Sequence, residues 1–143
     1  MKHTYTAKKS IAINAPAVKV WEALITPESI KQYLFGTDAI SDWKVGSKII
    51  FKGVYNGKTY EDKGIILQTI PEKLFQHSFW SHAAGIEDAP ENYATVTYNL
   101  EKEGNNTTKV TVSQDGCPDE KACTNSENFW GTVLQGLKNL LEN

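Results

Sequence analysis

The pattern of hydrophobic and polar positions divides the chain into alternating stretches and helically spaced stretches. Strict alternation, which is typical of half-buried strands, runs through residues 4–14 and then through six further segments. Asn56-Gly57 separates two of these segments in the manner of a tight hairpin, and a Gly-Asn-Asn turn at 104–106 separates two others. The six later strands are predicted at residues 39–43, 47–55, 59–70, 73–80, 92–101 and 107–114. We therefore predict an antiparallel meander.

Two short helices are predicted between the first strand and the second. Pro16 suits the first turn of a helix, and apolar residues then follow at spacings of three and four from Val20 to Ile25. A second start signal is Thr26-Pro27, with Thr26 as the candidate cap and Pro27 at the first helical position. The buried stripe of this second helix is expected at Ile30, Tyr33 and Leu34, before Gly36 closes the pair.

The stretch at 119–142 predicts one long C-terminal helix. About 24 residues at ~1.5 Å each would reach roughly 36 Å, which is long enough to cross a small sheet. Gly131 and Gly136 interrupt this helix at a cost of up to about 1 kcal/mol each relative to alanine. We expect them either to allow close approach to the sheet or to leave room over it. The apolar stripe of the helix is predicted to be Phe129, Trp130, Val133, Leu134, Leu137, Leu140 and Leu141.

The order of elements is a strand, two short helices, six strands and a long helix, which predicts an α+β fold. An antiparallel sheet must cover its apolar face, and only the C-terminal helix is long enough to do so. A strongly curved sheet that grips this helix would enclose a cavity wherever side chains fail to meet, and we expect function to lie in that space. Residues 81–91 fit no element and are predicted to form a mobile loop.

Composition narrows the functional classes. The length of 143 residues fits one domain, expected to span residues 1–143. The chain has 15 lysines and no arginine against 17 acidic residues, so its net charge is −2 and a basic face for nucleic acid is not expected. Without arginine, any anion would have to be held by lysine or by backbone N–H groups.

The chain contains no apolar run of the length that a signal peptide or a membrane span requires, so we expect no membrane span and a cytoplasmic protein. Cys117 and Cys123 lie six residues apart, a spacing that matches neither a redox motif nor a zinc knuckle. They are expected to be reduced thiols.

Candidate chemical groups are few. His77 shares strand parity with Phe75 and Phe79 and is therefore expected inside, as a hydrogen-bonded core residue or as a base. His82 lies five residues further on, in the predicted loop, so the two histidines have no fixed geometry for a metal or an acid–base pair. Glu61 and Asp62 are adjacent on a strand and project to opposite faces. We predict no catalytic residue, no metal site and no cofactor.

Several motifs resemble one known family. They are IAINAP at 11–16 followed by VWEAL at 20–24 and TPE at 26–28, then WKVG at 43–46, DKGII at 62–66, and FWGTVL at 129–134 with LKNLLE at 137–142. Together they resemble the START-like or Bet-v-like (SRPBCC) superfamily, in its subgroup related to the C-terminal domain of the activator of heat-shock-protein-90 ATPase. The resemblance covers nearly the whole chain.

The resemblance implies the helix-grip fold, with a hydrophobic cavity between the long helix and the sheet. Members of the superfamily bind lipids, sterols and polyketide-like or plant phenolic molecules, and some are cyclases. Aromatic rings and aliphatic side chains would form the walls of such a cavity. The predicted ligand-binding residues are Trp43, Phe51, Tyr60, His77, Phe79, Tyr98, Trp130, Leu134 and Leu137.

Three functions follow as hypotheses. The first is a non-enzymatic domain that binds or carries a small hydrophobic molecule, as a monomer or weak dimer. The second is an enzyme of the cyclase or hydrolase kind, in which His77 or Tyr98 moves a proton in the same cavity. The third, implied by the subgroup, is a chaperone cofactor that acts through the heat-shock-protein-90 ATPase.

Overall fold

A computed structural model describes residues 5–55, 57–81 and 87–142 of the chain. Within these residues the chain forms a seven-stranded sheet, three α-helices and one short 3-10 helix. The strands are β1 (Tyr5–Ile13), β2 (Asp38–Ser41), β3 (Lys48–Tyr55), β4 (Lys58–Ile70), β5 (Leu74–Phe79), β6 (Ala94–Lys102) and β7 (Thr108–Cys117). The helices are α1 (Ala17–Ile25), α2 (Pro27–Tyr33) and α3 (Glu120–Glu142), and the 3-10 helix is Pro90–Asn92. The predicted α+β class and order of elements are confirmed.

The strands pair in the order β1-β7-β6-β5-β4-β3-β2, and every pair is antiparallel. Strands β2 to β7 form the predicted meander, since strands joined by short turns lie side by side. At the tightest turn Tyr55 pairs with Lys58, and Gly57 has a φ of 77°, the left-handed conformation that a type I′ hairpin requires. Asn56, the other residue of that turn, lies outside the described residues.

Strand β2 ends at Ser41, two residues before its predicted end. Trp43 has a φ of 61°, a left-handed conformation that cannot continue a strand. Its N–H donates to the Ser41 hydroxyl oxygen at 3.0 Å, so a side chain takes the bond that strand pairing would have used. The turn brings the Trp43 indole to Phe75, with ring centroids 6.2 Å apart.

Helices α1 and α2 form as predicted, but the side chain of Thr26 does not cap α2. The Thr26 hydroxyl donates instead to the carbonyl oxygen of Glu22 at 2.5 Å, in the last turn of α1. A threonine hydroxyl can reach the carbonyl four residues earlier, and here that carbonyl is left over at a helix end. Tyr33 then joins the two helices by donating its hydroxyl to the Leu24 carbonyl at 3.2 Å.

Helix α3 lies closest to β1, with further contacts to α2 and β7, and its Trp130 reaches Tyr98 on β6. Three of its side chains reach the outer backbone edge of β1 and the residue after it. Glu127 accepts the N–H of Lys8 at 3.1 Å, Lys138 donates to the Ala12 carbonyl at 2.9 Å, and Glu142 accepts the N–H of Asn14 at 2.8 Å. The helix thus closes this edge and leaves the inner faces of β3, β4 and β5 to other elements.

The two glycines of α3 do not leave room over the sheet, which corrects the second of the two expectations for them. A Cβ at Gly131 would lie 3.3 Å from Cε of Lys9, and a Cβ at Gly136 would lie 3.6 Å from the Tyr33 carbonyl oxygen. Gly131 therefore faces β1, and Gly136 allows α2 to approach. The periodicity of a helix shows which residues share a face, but it does not show which element that face meets.

The core lies between the inner face of the sheet and the three helices. Phe129 departs from the predicted stripe of α3, since 46% of it is exposed. Cys117 and Cys123 are free thiols buried beside Ala7, and burial with a mutual hydrogen bond raises the pKa of the Cys123 thiol to about 12. The largest fully buried side chains are Ile13, Val20, Leu24, Ile30, Ile49, Ile66, Val96, Val110, Val112, Val133, Leu134 and Leu137.

Among the described residues, no helix combines the length and the apolar character needed to cross a bilayer. The predicted loop at 81–91 coincides with the break between β5 and the 3-10 helix, and residues 82–86 of it, including His82, lie outside the described residues. The predictions made for His82 are therefore not tested.

Candidate functional site

The register of the sheet places the aromatic side chains of β3, β5 and β6 on one inner face. His77 on β5 pairs with Val96 on β6, and Phe75 pairs with Tyr98. Phe51 on β3 pairs with Asp62 on β4. Because side chains at directly paired positions project to the same side, these residues face the interior together.

These side chains form a network of ring contacts that we call the aromatic cluster: Trp43, Phe51, Phe75, His77, Phe79, Tyr98 and Trp130. His77 lies 5.6 Å from Phe51 and 5.6 Å from Phe75 between ring centroids, and 6.5 Å from Phe79 and from Tyr98. Trp130 of α3 meets Tyr98 edge to face at 5.9 Å. These separations are typical of favourable aromatic pairs. The histidine is thus enclosed by apolar rings.

His77 is 3% exposed and is held as a neutral ring. Its Nδ1 lies 2.8 Å from the Ser78 carbonyl oxygen, which can only accept, so Nδ1 bears the proton and Nε2 is left as an acceptor. Desolvation lowers the pKa of His77 to about 4, although the bond to Ser78 acts in the opposite direction. At neutral pH the imidazole is a poor base and an oriented hydrogen-bond acceptor.

Tyr98 and Trp130 supply the other polar atoms of the aromatic cluster. Burial raises the pKa of the Tyr98 phenol, which therefore stays protonated and can donate. The indole Nε1–H of Trp130 donates to Oε1 of Gln114 at 2.9 Å, which fixes the ring across the end of the sheet. The cluster thus combines one oriented acceptor and one phenolic donor with apolar walls.

Eight of the nine predicted binding residues lie in the aromatic cluster or in the hydrophobic core beside it, and Tyr60 is set apart. Trp43, Phe51, His77, Phe79, Tyr98 and Trp130 belong to the aromatic cluster, while Leu134 and Leu137 pack in the same hydrophobic core. Tyr60 instead lies over Gly53, where a Cβ would come within 2.3 Å of the Tyr60 hydroxyl oxygen. Only glycine leaves space for the tyrosine in this position.

Tyr60 contacts a second structure, the rim turn, which we define as residues 34–37 between α2 and β2. The Thr37 hydroxyl donates to the Leu34 carbonyl at 2.7 Å, so its oxygen accepts the Tyr60 hydroxyl, 2.5 Å away. On the other side, Phe35 contacts Phe129 of α3 with ring centroids 6.1 Å apart. The rim turn therefore connects β4 to α3 above the inner face of the sheet.

Phe35 and Phe129 lead from the surface to the aromatic cluster. They are 59% and 46% exposed, and Phe129 lies 5.2 Å from Trp130 between ring centroids. Phe35 also has a φ of 55°, a left-handed conformation that is unusual for an aromatic residue. A continuous series of ring contacts thus runs from an exposed aromatic pair through Trp130 and Tyr98 to His77.

Three residues of this region were not among the predicted site residues. Phe75 is the centre of the ring contacts, and strand parity with His77 was the signal that could have identified it. Phe35 and Phe129 carry no such signal, because an exposed aromatic next to a glycine or within an apolar stripe has the same sequence pattern as a buried one.

The described part of the loop after β5 is anchored to the outer face of the sheet. The carboxylate of Asp88 pairs with Lys63 at 2.5 Å and accepts the Tyr93 hydroxyl at 2.6 Å, and these bonds lower the pKa of Asp88. The indole N–H of Trp80 donates to the Glu87 carbonyl at 3.1 Å, and Lys63 lies 5.6 Å from the Trp80 ring. Residues 87–93 are thereby held beside β4 and β5.

Two surface depressions, of about 290 Å³ and about 210 Å³, lie away from the aromatic cluster, and none of the nine predicted residues lines either one. The first is formed by β1, β7 and Glu103. The second is formed by the start of α1 together with Glu72, Lys102, Gly104 and Asn105. No group of three or more His, Cys, Asp or Glu side chains within the described residues could hold a metal ion.

Comparison with known proteins gives a family and a fold. A family model described as Activator of Hsp90 ATPase homolog 1-like protein matches residues 14–142. A protein from Cytophaga hutchinsonii, solved in solution, is 47% identical, with 100% of this chain and 97% of that chain covered and a TM-score of 0.86. Curated proteins give no significant match.

Two more distant structures share the fold. The Aha1 dimer from Colwellia psychrerythraea is 21% identical with a TM-score of 0.69, and the match covers 96% of each chain. An HSP90 activator from Plasmodium falciparum is 17% identical with a TM-score of 0.74, and the match again covers 96% of each chain. At these identities the likeness concerns the arrangement of the backbone.

Proposed function

Because the chain belongs to the Activator of Hsp90 ATPase homolog 1-like family, we propose that it is a helix-grip binding domain, spanning residues 1–143, for a small and largely apolar molecule. The ligand is held in the aromatic cluster and along Leu134 and Leu137 of α3. The observation that carries this proposal is the presence of a buried acceptor, Nε2 of His77, and a buried phenol, Tyr98, on neighbouring rings inside apolar walls. Small-molecule sites are typically apolar with a few oriented polar groups.

The rim turn is the proposed entrance. Helix α3 packs on the β1 side of the sheet, so the inner faces of β3 and β4 are bordered by the rim turn rather than by the long helix. The turn is held by the hydrogen bond from Tyr60 to Thr37 and by the contact between Phe35 and Phe129. Breaking these two contacts would open a path to Phe79 and Phe51 without unfolding a strand. The rings of the cluster are in contact, so binding also requires them to move apart.

Binding is favoured over catalysis as the role of the cluster. A general base works best when its pKa lies near the operating pH, and the pKa of His77 is lowered to about 4. Burial raises the pKa of Tyr98, which makes it a weak acid as well. Both residues are therefore better suited to hold a hydrogen bond than to transfer a proton.

The proposal is tested by titrating fatty acids, sterols and flavonoid-like compounds against tryptophan fluorescence and two-dimensional amide spectra. A ligand should shift the amide signals of Tyr98 and Trp130 at sub-millimolar concentration. Phe79→Ala should alter the affinity, whereas Val54→Ala, on an exposed position of β3, should not. If no compound perturbs Tyr98 or Trp130, the function proposed for the aromatic cluster is wrong for that panel.

A chaperone cofactor is the second candidate, and the family description is the observation that favours it. The solved relative from Plasmodium falciparum is named as an HSP90 activator, although its likeness to this chain is one of fold. The test is the ATPase rate of the host's heat-shock-protein-90 chaperone with an excess of this domain. A rate that stays unchanged would remove the candidate.

A further inference from the structure

We infer that the aromatic cluster selects a neutral molecule with a hydroxyl group and rejects a carboxylate of the same shape. This inference rests on the proposed binding function and adds the chemical class of its ligand. It follows from two features of the described residues: the absence of a buried lysine, and the neighbouring hydrogen-bonding groups of His77 and Tyr98.

Within residues 5–55, 57–81 and 87–142, no lysine lies where a ligand carboxylate would be buried. The chain contains no arginine, and none of the lysines in the described residues is buried. The strand register places Lys52 and Lys63 on the outer face, where they pair with Glu61 and Asp88. Lys9 points inward, but it lies on β1 under Gly131, three strands away from β5. A buried carboxylate would therefore remain without a charged partner, which is a costly state.

The polar atoms of the cluster match a hydroxyl group. Nε2 of His77 accepts a hydrogen bond, since Nδ1 holds the proton on the side of Ser78. The Tyr98 hydroxyl donates, and the two rings are neighbours with centroids 6.5 Å apart. A hydroxyl group both donates and accepts, so it can satisfy either atom or both. A carboxylate only accepts, so it would turn oxygen lone pairs toward the lone pair of Nε2.

The test uses three ligands of one shape: naphthalene, 2-naphthol and 2-naphthoate, titrated at pH 7.5 with amide spectra as the readout. We expect 2-naphthol to bind more tightly than naphthalene, and 2-naphthoate to bind roughly 100-fold more weakly than 2-naphthol. Equal binding of 2-naphthoate and 2-naphthol overturns the inference while the proposed binding function stands. If none of the three perturbs Tyr98 or Trp130, the proposed binding function itself fails.

Two variants test which atoms produce the preference for a hydroxyl group. Tyr98→Phe removes the donor and His77→Phe removes the acceptor, and each should reduce the ratio of the affinity for 2-naphthol to the affinity for naphthalene. Thr97→Val, on the outer face of β6 beside Tyr98, is the matched control and should preserve the full advantage. Tyr98→Phe loses a single oxygen atom, so it can still be tested if His77→Phe does not fold. If Tyr98→Phe still binds 2-naphthol more tightly than naphthalene by the same factor, the role of Tyr98 is contradicted.

Discussion

The two sides of the sheet are stabilised in different ways. On the β1 side, helix α3 packs its buried stripe on the sheet and uses Glu127, Lys138 and Glu142 to bind the backbone edge. On the β3 side, aromatic rings and the rim turn cover the inner face, and two of the covering rings, Phe35 and Phe129, are largely exposed. We therefore expect the half under the helix to be the more stable one, and the half under the four-residue rim turn to open with fewer broken contacts.

The largest difference between the two sides should come from truncating buried side chains. Leu134→Ala removes a side chain that is 1% exposed under α3 and should lower the free energy of unfolding by about 2 to 5 kcal/mol. Phe129→Ala, one and a half turns earlier on the same helix, should cost less than about 1 kcal/mol because its ring is half exposed. Urea unfolding measures both, and equal losses would contradict the division of the molecule into two halves.

Acid should lower the stability of the protein through His77, which lies on the aromatic side of the sheet. The pKa of His77 falls from 6.5 in the unfolded chain to about 4 in the folded protein, so between these values the unfolded chain binds more protons. Stability is therefore complete above about pH 6.5 and decreases as the pH falls to about 4, by about 3 kcal/mol in total. Thermal unfolding from pH 7 to pH 4 measures this loss.

His77→Phe is the control for this pH dependence, since it keeps a ring in the cluster but cannot titrate. Its stability should fall less steeply over the same interval. If the wild-type protein and the variant lose stability in parallel, the pH dependence comes from other groups and His77 is not the buried neutral ring described above.

Replacing a glycine by alanine should have opposite effects on stability on the two sides of the sheet. A Cβ at Gly136 makes an ordinary 3.6 Å contact with Tyr33, so Gly136→Ala should stabilise the protein by up to about 1 kcal/mol through helix propensity. Gly53→Ala displaces Tyr60 and its hydrogen bond to Thr37, which should cost about 1 kcal/mol. Thermal melting measures both changes, and neither Gly136→Ala nor Gly131→Ala should alter ligand affinity.

A double variant isolates the rim turn. In a Tyr60→Ala background there is no ring over residue 53, so Gly53→Ala should cost much less than it does alone. If Gly53→Ala lowers the stability equally in both backgrounds, its effect comes from the β3 backbone. The space at Gly53 would then not be what allows Tyr60 to take its position.

The smallest effect is expected at the charged edge of β1. Hydrogen bonds from Asn14 and Lys138 lower the pKa of Glu142. Its contribution to stability is therefore present above the ordinary pKa of a glutamate and is lost as the pH falls below that value. Glu142→Gln should lower the stability only slightly, because solvent screens the interactions of this carboxylate. Hydrogen exchange at the Asn14 amide is the sensitive measurement, and unchanged protection there would mean that the helix does not hold this edge through Glu142.

The local elements of this protein follow closely from its sequence. The bounds of β3 and β4 agree with the prediction within a residue, because Asn-Gly can form the hairpin and the flanking residues alternate in polarity. The failures lie where a side chain competes with the backbone. Ser41 ended β2 early, and Thr26 bonded backward to Glu22 instead of capping α2. Such competition depends on distances of a few ångströms that a pattern of polarity does not contain.

The candidate site followed from the sequence only as a set of residues. Strand parity on its own brings Phe75, His77 and Phe79 to one face, and periodicity places Trp130 with Leu134. Which element meets each face was decided by packing. Helix α3 lies toward β1, so Gly131 and Gly136 face Lys9 and Tyr33 instead of bordering a space over the sheet. Phe129 is exposed beside Phe35.

The sequence by itself determined the order of the elements, their faces and the lack of arginine, because these depend on neighbours along the chain and on composition. Only the tertiary structure decided which side of the sheet α3 covers, the tautomer of His77 and the connection of the rim turn to both β4 and α3. These features depend on contacts between residues far apart in the chain, such as Tyr60 with Thr37 and Trp130 with Tyr98. Such contacts form only when the strands and helices pack, since no local pattern specifies the distance between two distant side chains.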